Sequence, residues 1–471
     1  MRPAWAAPAI DPVVFFKLQL IMFFEGIRSA RQLMDMVNVR LDHRWYLGYD
    51  LDEPVPDHSS LSRIRDRYGL EVFQRFFEHI VERCITAGLV WGKELYFDGT
   101  KVRANAAIDG MIPRFYWEAR QHLQALFADA QQVPGAQPAH AEAMPTSSPP
   151  RGFVEKYSGE RPTGVRAPTY KRTADYRVSP TDPDATPMKA SNHASASLGY
   201  HDHYVVDGGK ARIILAALVT PSSIMDNTPM LDLARWVRFR WHLSPAIAVG
   251  DGRYGTTTNI AGLEQDGIRA FLNTADFSAR TGLYPTERFT YDPKQDNYTC
   301  PQGQALRRVS TRKSEQVIVY RAHAKTCNAC PLKPACTDSK SGRHIFRSFF
   351  QEYLDRAKGY EATWYYQMAM RKRQVWVEPL FGEAKQWHGL RQFRLRGLRK
   401  VNIEGLMTAA GQNIKRLLNP AKWSRQPDPA GAIALRPPLH FLQRCRQASL
   451  PCRERGPFST GCYIFRRICS C

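Results

Sequence analysis

Residues 94–100 read Glu94-Leu95-Tyr96-Phe97-Asp98-Gly99-Thr100. Here a short apolar run ends in a single acidic residue, Asp98, which a glycine follows directly. Tyrosine and phenylalanine favour strands, and the Gly-Thr pair interrupts the run. The pattern predicts a buried strand that carries Asp98 at its end. Residues 246–252 repeat this construction and carry Asp251. Because a buried carboxylate is costly unless it is paired or binds a metal, the two acids indicate one shared cation site. Alternatively, each aspartate caps a turn after its strand.

The length and charge of the chain limit its function. Its 471 residues suffice for more than one domain. Lysine and arginine number 66 against 44 acidic residues, which gives a formal net charge of +22. This excess favours a polyanionic partner, and nucleic acid fits best. Charge alone does not distinguish DNA from RNA, or either from an anionic membrane surface.

No segment of the sequence is expected to span a membrane. The most apolar N-terminal run, residues 13–24, is too short and is interrupted by Lys17. It also lacks the basic flank and the cleavage site of a signal peptide. These features predict a cytoplasmic protein, in which cysteines are metal ligands or free thiols rather than disulfides.

Helical periodicity predicts an all-helical region over residues 11–90. Gly69 is expected to end a short helix that carries Arg63, Arg65 and Arg67, and such a helix would suit a helix-turn-helix reader of DNA. A plain helical bundle with a solvated basic face fits the same pattern.

Beyond residue 94 the sequence alternates strands with helices. Two strand-like runs over residues 199–220 meet at an Asp-Gly-Gly sequence, which is typical of a hairpin. The order is strand, hairpin pair, helix, strand, helix, strand, and it predicts a mixed α/β layer architecture. The predicted division is a helical DNA-binding domain (1–92), the first part of a mixed-sheet core (93–275) with a flexible insertion (131–190), a cysteine-rich insertion (276–345), the second part of the core (346–424) and a poorly ordered tail (425–471).

A third acid lies in the most basic part of the chain. Glu378 directly precedes Pro379, which favours the first turn of a helix, and a lysine follows two turns later on the same face. Residues 371–400 contain nine basic and two acidic residues, a local charge of +7, with aromatic residues between them. Such segments neutralise phosphates and stack on bases. The segment alone would also fit a capping glutamate and a surface lysine. The predicted DNA contacts are Arg371, Arg373, Lys385, Arg391, Arg394 and Arg396.

Asp98, Asp251 and Glu378 together suit phosphoryl transfer, because three carboxylates can hold two Mg²⁺ or Mn²⁺ ions about 3.5–4 Å apart. Oxygen ligands of this kind select hard cations rather than zinc.

The sequence resembles the DDE transposases of bacterial insertion sequences, whose catalytic core is RNase H-like. The resemblance implies that Asp98, Asp251 and Glu378 are the catalytic triad and that Arg373 and Lys385 accompany the glutamate. The motifs that carry it follow the family's order between about residues 40 and 420: 44–48 (RWYLG), 55–63 (VPDHSSLSR), 97–106 (FDGTKVRANA), 198–201 (LGYH), 249–255 (VGDGRYG), 377–385 (VEPLFGEAK) and 395–398 (LRGL).

The resemblance also implies partners and supporting residues. Double-stranded DNA is the expected partner, as transposon ends and as target, and a homodimer is expected on paired ends. Glu383 is a less favoured alternative to Glu378. Asp226 matches a recurrent family position and is expected beside the core as support.

Four cysteines form a separate signal, with two of them spaced as Cys-x-x-Cys. Four thiolates suit a structural Zn²⁺ ion, whereas an iron–sulfur cluster or free thiols are the alternatives. The residues are Cys300, Cys327, Cys330 and Cys336.

The expected function is that of a transposase, which cleaves DNA at insertion-sequence ends in a metal-dependent reaction and joins the freed strand to target DNA. An RNase H-like nuclease that cuts without joining is the alternative among enzymes. A zinc-bearing DNA-binding protein with an inactive core is the alternative from another class.

Overall fold

The structure is a computed structural model, and it describes residues 10–130, 154–157, 173–189, 195–273 and 282–419. The predicted tail, residues 425–471, lies outside the described residues, as does most of the predicted insertion at 131–190. Helices and mixed sheets together confirm the α/β class. Within the described ranges, no helix is long and apolar enough to cross a membrane.

The centre of the molecule is a six-stranded mixed sheet. Its strands are β1 (Glu94–Arg103), β2 (Thr186–Lys189), β3 (Ala196–Asp207), β4 (Ile214–Pro221), β5 (Ile247–Val249) and β6 (Arg269–Phe271). β3 is antiparallel to β1 on one edge and to β2 and β4 on the other, whereas β5 and β6 run parallel to β1. The predicted first strand, hairpin and two later strands are therefore confirmed. The sequence did not predict β2, or the small strand pair of Ile112–Pro113 with Arg177–Val178.

The hairpin between β3 and β4 is fixed by Asp207. Its buried carboxylate accepts hydrogen bonds of 2.7–2.9 Å from three backbone N–H groups, including that of Gly209. Gly208 packs so closely on β1 that an added Cβ atom would lie 2.5 Å from the Glu94 Cβ atom. The Asp-Gly-Gly sequence is therefore required by close packing as well as by turn preference.

The residues before the sheet form helices, as predicted. They are α1 (Pro12–Phe24), α2 (Ala30–Val39), α3 (Leu41–Leu47) and α4 (His58–Thr86), and α5 (Arg114–Ala130) follows β1. Asp57 caps α4 by accepting the Ser59 N–H at 2.8 Å. Gly69 interrupts α4 because its φ of 65° and ψ of −177° are not helical. The predicted helix end at Gly69 is thus confirmed.

Two helices that come after the hairpin in the sequence were also predicted: α6 (Met230–Arg240) and α7 (Thr257–Gln265). Where the sequence predicted a cysteine-rich insertion, the structure contains a second, antiparallel sheet. Its strands are β7 (Thr290–Asp292), β8 (Asn297–Thr299), β9 (Ala305–Arg312), β10 (Val317–Ala322) and β11 (His344–Ser348), with short helices at Ala324–Asn328 and Lys333–Cys336. The sequence did not predict this sheet because β9 exposes nearly every side chain and so lacks apolar alternation.

Three helices follow the second sheet: α8 (Gln351–Glu361), α9 (Trp364–Trp376) and α10 (Glu378–Trp387). Thr363 begins α9 because its hydroxyl accepts a backbone N–H of that helix at 3.2 Å. Only Val377 separates α9 from α10. Glu378 is therefore the first residue of a helix, as Pro379 predicted.

The last described helix, α11 (Leu398–Leu417), covers the outer edge of β4. Asn402 pairs with the backbone N–H and C=O of Val219, and Asn413 pairs with those of Ile214, at 2.8–2.9 Å. Two amide side chains thus satisfy a strand edge that would otherwise expose its backbone. α11 also packs on α1 and α4, so that one continuous core joins the N-terminal helices to the sheet. The domain boundary at residue 92 stays a prediction.

Gly411 sets the distance between α11 and α1. A Cβ atom there would lie 2.4 Å from the Phe23 ring, so Gly411→Ala forces the helices to shift. We expect a loss of about 1–3 kcal/mol in the free energy of unfolding, measured by urea denaturation. Gly359→Ala is the matched control, because a Cβ atom at this helical glycine meets no atom within 4 Å. Helix propensity should make that variant more stable by about 0.5–1 kcal/mol. Equal effects from both changes would contradict close packing at Gly411.

Candidate active site

The register of β1 and β5 brings Asp98 and Asp251 side by side. The strands are parallel, and Tyr96 of β1 pairs with Val249 of β5. Each aspartate lies two residues further along its chain, so the two carboxylates stand at the same level of the sheet. Asp98 lies inside β1 with its side chain 15% exposed, and Asp251 lies just beyond the end of β5.

Glu378 reaches the same place from the start of α10. The Arg373 guanidinium lies between two of the acids, 3.7 Å from Asp98 Oδ2 and 3.5 Å from Glu378 Oε1. The Glu378 side chain is 54% exposed, and the helix dipole favours its negative charge at the N-terminus of α10. The structure therefore brings Asp98 and Glu378 together at Arg373, with Asp251 beside Asp98 at the end of the neighbouring strand.

Burial controls the ionisation of Asp98. Desolvation raises the pKa of Asp98 to about 6, the positive charge of Arg373 opposes this rise, and the charges of Asp251 and Glu378 add to it. The negative charges of Asp251 and Glu378 thus disfavour ionisation of Asp98, and a bound cation would relieve this repulsion.

The chemistry of this site fits a hard divalent cation, because every acidic ligand is a carboxylate oxygen. Asp98, Asp251 and Glu378 are the residues that would hold Mg²⁺ or Mn²⁺. As placed among the described residues, no group of three or more histidine, cysteine, aspartate or glutamate side chains is close enough together to hold a metal ion. The Arg373 guanidinium places a positive charge beside Asp98 and Glu378.

A hydrogen-bond network holds the loop that carries Asp251. Arg253 donates its backbone N–H to Asp251 Oδ1 at 2.8 Å and its guanidinium to Asp226 Oδ2 at 3.0 Å. His201 Nδ1 lies 2.9 Å from Asp226 Oδ1. Burial opposes ionisation of Asp226, but the contacts with His201 and Arg253 outweigh it and lower the pKa of Asp226 well below its ordinary value. Asp226 therefore supports the site through Arg253, without reaching the three acids itself.

Two side chains near the acids, Thr100 and Asp202, were not predicted from the sequence. Lys385 Nζ donates to Thr100 Oγ1 at 2.6 Å. Asp202 pairs with Thr100 across β1 and β3 and is fully buried beside the Tyr204 hydroxyl. Burial raises the pKa of Asp202 well above its ordinary value, and Lys385 opposes this. The available signal was the period of two along a strand, which puts Thr100 on the same face as Asp98.

The remaining predicted DNA contacts differ in exposure. Arg371, Arg391 and Arg396 are exposed to solvent. Arg394 is partly buried instead, and its guanidinium donates to the Arg28 carbonyl oxygen at 2.9 Å. Arg371 and Arg391 are therefore accessible to a phosphate at the surface. The Arg396 Nε atom donates to the Asn105 carbonyl oxygen at 2.9 Å, and Arg394 faces the N-terminal helices.

Glu383, the alternative acid, contacts α11 instead of the acidic site. Lys415 Nζ donates to Glu383 Oε1 at 2.8 Å, and Gln412 Nε2 donates to Oε2 at 3.1 Å. Burial opposes ionisation of Glu383, but His388 and Lys415 lower its pKa well below the ordinary value. These contacts give Glu383 a structural role between α10 and α11.

The four predicted zinc ligands line one cavity beside the second sheet. Two backbone N–H groups point at sulfur atoms: that of Gln304 at Cys300 Sγ (3.3 Å) and that of Arg343 at Cys327 Sγ (3.4 Å). Burial raises the pKa of Cys336, Arg343 opposes the rise, and the neighbouring thiols add to it. The four thiols line the same cavity. Like the carboxylates, they do not form a group that could hold a metal ion as placed among the described residues.

Two protein-family profiles match the chain. One, described as Transposase DDE domain, covers residues 299–418, and the other, Transposase domain (DUF772), covers residues 2–67. The first match contains Glu378 and the four cysteines, whereas Asp98 and Asp251 lie outside both matches. No curated protein sequence matches the chain.

The DDE-domain match supports an enzyme of the transposase and nuclease type. The two matched segments are similar to transposase domains, in agreement with the sequence motifs of the chain. Members of this family act on DNA and generally use divalent metal ions.

Proposed function

We propose that this protein cleaves DNA at the ends of an insertion sequence and transfers the freed strand into target DNA. The observation that carries the proposal is the position of Asp98 between Asp251 and Glu378, with Arg373 contacting Asp98 and Glu378. The mixed sheet supports an RNase H-like assignment of the core, over residues 93–275 and 346–424. Both family matches support the same function.

Each proposed reaction exchanges one P–O bond for another and needs no external energy source. In cleavage, a water oxygen attacks phosphorus and a 3′-oxygen leaves. In transfer, that 3′-hydroxyl attacks a target phosphodiester, whose own 3′-oxygen leaves. Bound divalent cations would stabilise the charge on the attacking and leaving oxygens. Asp98, Asp251 and Glu378 would hold these ions, and Arg373 and Lys385 would contact phosphate oxygens.

The experiment uses duplex oligonucleotides that carry the inverted repeats flanking the gene. With Mg²⁺ or Mn²⁺, we expect nicks at the repeat ends and joined products with a second duplex, and EDTA should remove both. Nicks without joined product would support the nuclease alternative. Binding without any nick would support a DNA-binding protein with an inactive core.

The N-terminal helices are proposed to recognise the transposon ends, and two copies are proposed to act on paired ends. Direct packing of α1 and α4 on α11 would hold DNA bound by these helices close to the core. Light scattering of the protein with end-bearing DNA tests the dimer. A complex of one chain per duplex at all protein concentrations would contradict it.

The cysteine cavity is proposed to hold one structural Zn²⁺ ion. We expect about one zinc per chain by elemental analysis of the purified protein and loss of zinc in Cys330→Ser, because four thiolates complete a tetrahedral site. Cys84→Ser is the control, since Cys84 is buried in the main core. Zinc absent from the wild-type chain, or equal in both variants, would contradict the proposal.

A further inference from the structure

A cavity of about 70 Å³ lies where the N-terminal helices meet the core. Its walls come from α1, from α4, from the segment after α10 and from α11. It is large enough for several water molecules or one tetrahedral oxyanion. Its polar and charged lining includes Gln19, Arg28, Arg65, His388, Arg394 and Glu404.

Donor groups in this cavity lack acceptors. Gln19 is 7% exposed, and its Nε2 atom has no hydrogen-bond partner. The Arg394 Nε atom is buried and equally unpartnered. Arg65 is 5% exposed and makes no hydrogen bond or ion pair with any described residue. A buried donor without a partner destabilises the folded state, and more so when it is charged. Two such buried donors, with an arginine that makes no hydrogen bond to a described residue beside them, indicate a missing acceptor.

The charges of the cavity point to an anion. Three arginines line it against one carboxylate, Glu404. Both Glu404 oxygens already accept the backbone N–H groups of Arg394 and Leu395, at 3.0–3.2 Å. Burial lowers the pKa of Arg65 to about 10, and the charge of Arg394 lowers it further while Glu404 opposes this. The positive charge of the cavity is therefore only partly compensated within the described structure.

We propose that this cavity binds a phosphate group of the DNA backbone, with Arg65, Arg394 and Gln19 as its donors. A phosphate supplies negative charge and several acceptor oxygens at once, which matches the unpartnered groups. Exposed Arg391 and Arg396 flank Arg394 along the chain and add positive charge on either side of it. The identity of the ligand as DNA rests on the proposed function. The cavity would fix the DNA relative to both the N-terminal helices and the core.

The test measures DNA affinity by fluorescence anisotropy over about 50 to 200 mM KCl, because each lost phosphate contact lowers the slope of log K against log salt by about 0.9. Arg65→Gln should reduce this slope by about one. Gln19→Leu should weaken binding several-fold and leave the slope unchanged, because it removes a neutral donor. Arg75→Gln is the matched control, since Arg75 is an exposed arginine on the same helix.

Inorganic phosphate separates the two sources of this ligand. If it raises the melting temperature of the wild-type chain while Arg65→Gln keeps the full salt slope, the cavity binds free oxyanions and the DNA proposal is overturned. If phosphate leaves the melting temperature unchanged and both variants bind DNA like the Arg75→Gln control, the cavity holds water and the proposal is also overturned. Should Arg65→Gln fail to fold by circular dichroism, Gln19→Leu decides. Failure of the proposed function would instead appear as wild-type protein that leaves the DNA uncut.

Discussion

Replacing Glu378 by glutamine should lower the rate of DNA cleavage by about 10³-fold or more, equivalent to about 4 kcal/mol of transition-state stabilisation. Glutamine keeps the size of the side chain and removes the negative charge that a divalent cation needs. Because the Glu378 side chain is 54% exposed, the change should leave the fold intact. Binding of end-bearing DNA should persist or tighten slightly, because the change removes a negative charge that repels the DNA phosphates. Single-turnover cleavage with Mg²⁺ and anisotropy without it measure the two effects separately.

Glu352→Gln is the matched control for this change. Glu352 is also an exposed glutamate in the first turn of a helix, α8, so that helix dipole and exposure are alike. We expect wild-type cleavage from this variant. Full cleavage by Glu378→Gln would remove Glu378 from the proposed site. Equal loss in both variants would mean that the assay reports general damage to the protein.

The elements that present the acids could be predicted from the sequence because their signals are local. An apolar run ending in Asp-Gly marks the strand before Asp98 and again the strand before Asp251. Proline after Glu378 marks the start of α10. Each of these signals lies within a few residues of the acid that it presents, and none depends on the rest of the fold.

The arrangement around these acids could not be predicted in the same way. The pairing of Tyr96 with Val249, which makes Asp98 and Asp251 level, is a contact between distant strands. The burial of Asp202 depends on α11, since an added Cβ atom at Gly405 would lie 3.5 Å from its carboxylate. The unpartnered donors of Gln19 and Arg65 appear only when α1, α4 and α11 are packed together. Such features belong to tertiary structure and leave no periodic trace in the sequence.

Asp98→Asn should make the protein more stable at neutral and alkaline pH, although it removes a residue of the proposed active site. The folded pKa of about 6 exceeds the ordinary value of 3.8, so the folded state binds the Asp98 proton more tightly than the unfolded chain does. Ionisation of wild-type Asp98 therefore costs stability as pH rises through this window. Above pH 6 the cost approaches about 3 kcal/mol, from about 1.4 kcal/mol per pKa unit. Below about pH 4, where Asp98 is protonated in both states, the two proteins should be equally stable.

Urea denaturation of both proteins across this pH range isolates the effect, because all other titrating groups are common to the pair. Asp109→Asn is the control, since Asp109 is an exposed aspartate and its change should stay within about 0.5 kcal/mol at every pH. Added Mg²⁺ should stabilise the wild-type protein more than Asp98→Asn, because a ligand of the folded state alone stabilises that state. Lower stability of Asp98→Asn at alkaline pH would show that the ion pair with Arg373 outweighs the burial of Asp98. In that case the carboxylate would be held by its arginine, and a cation would have no repulsion to relieve.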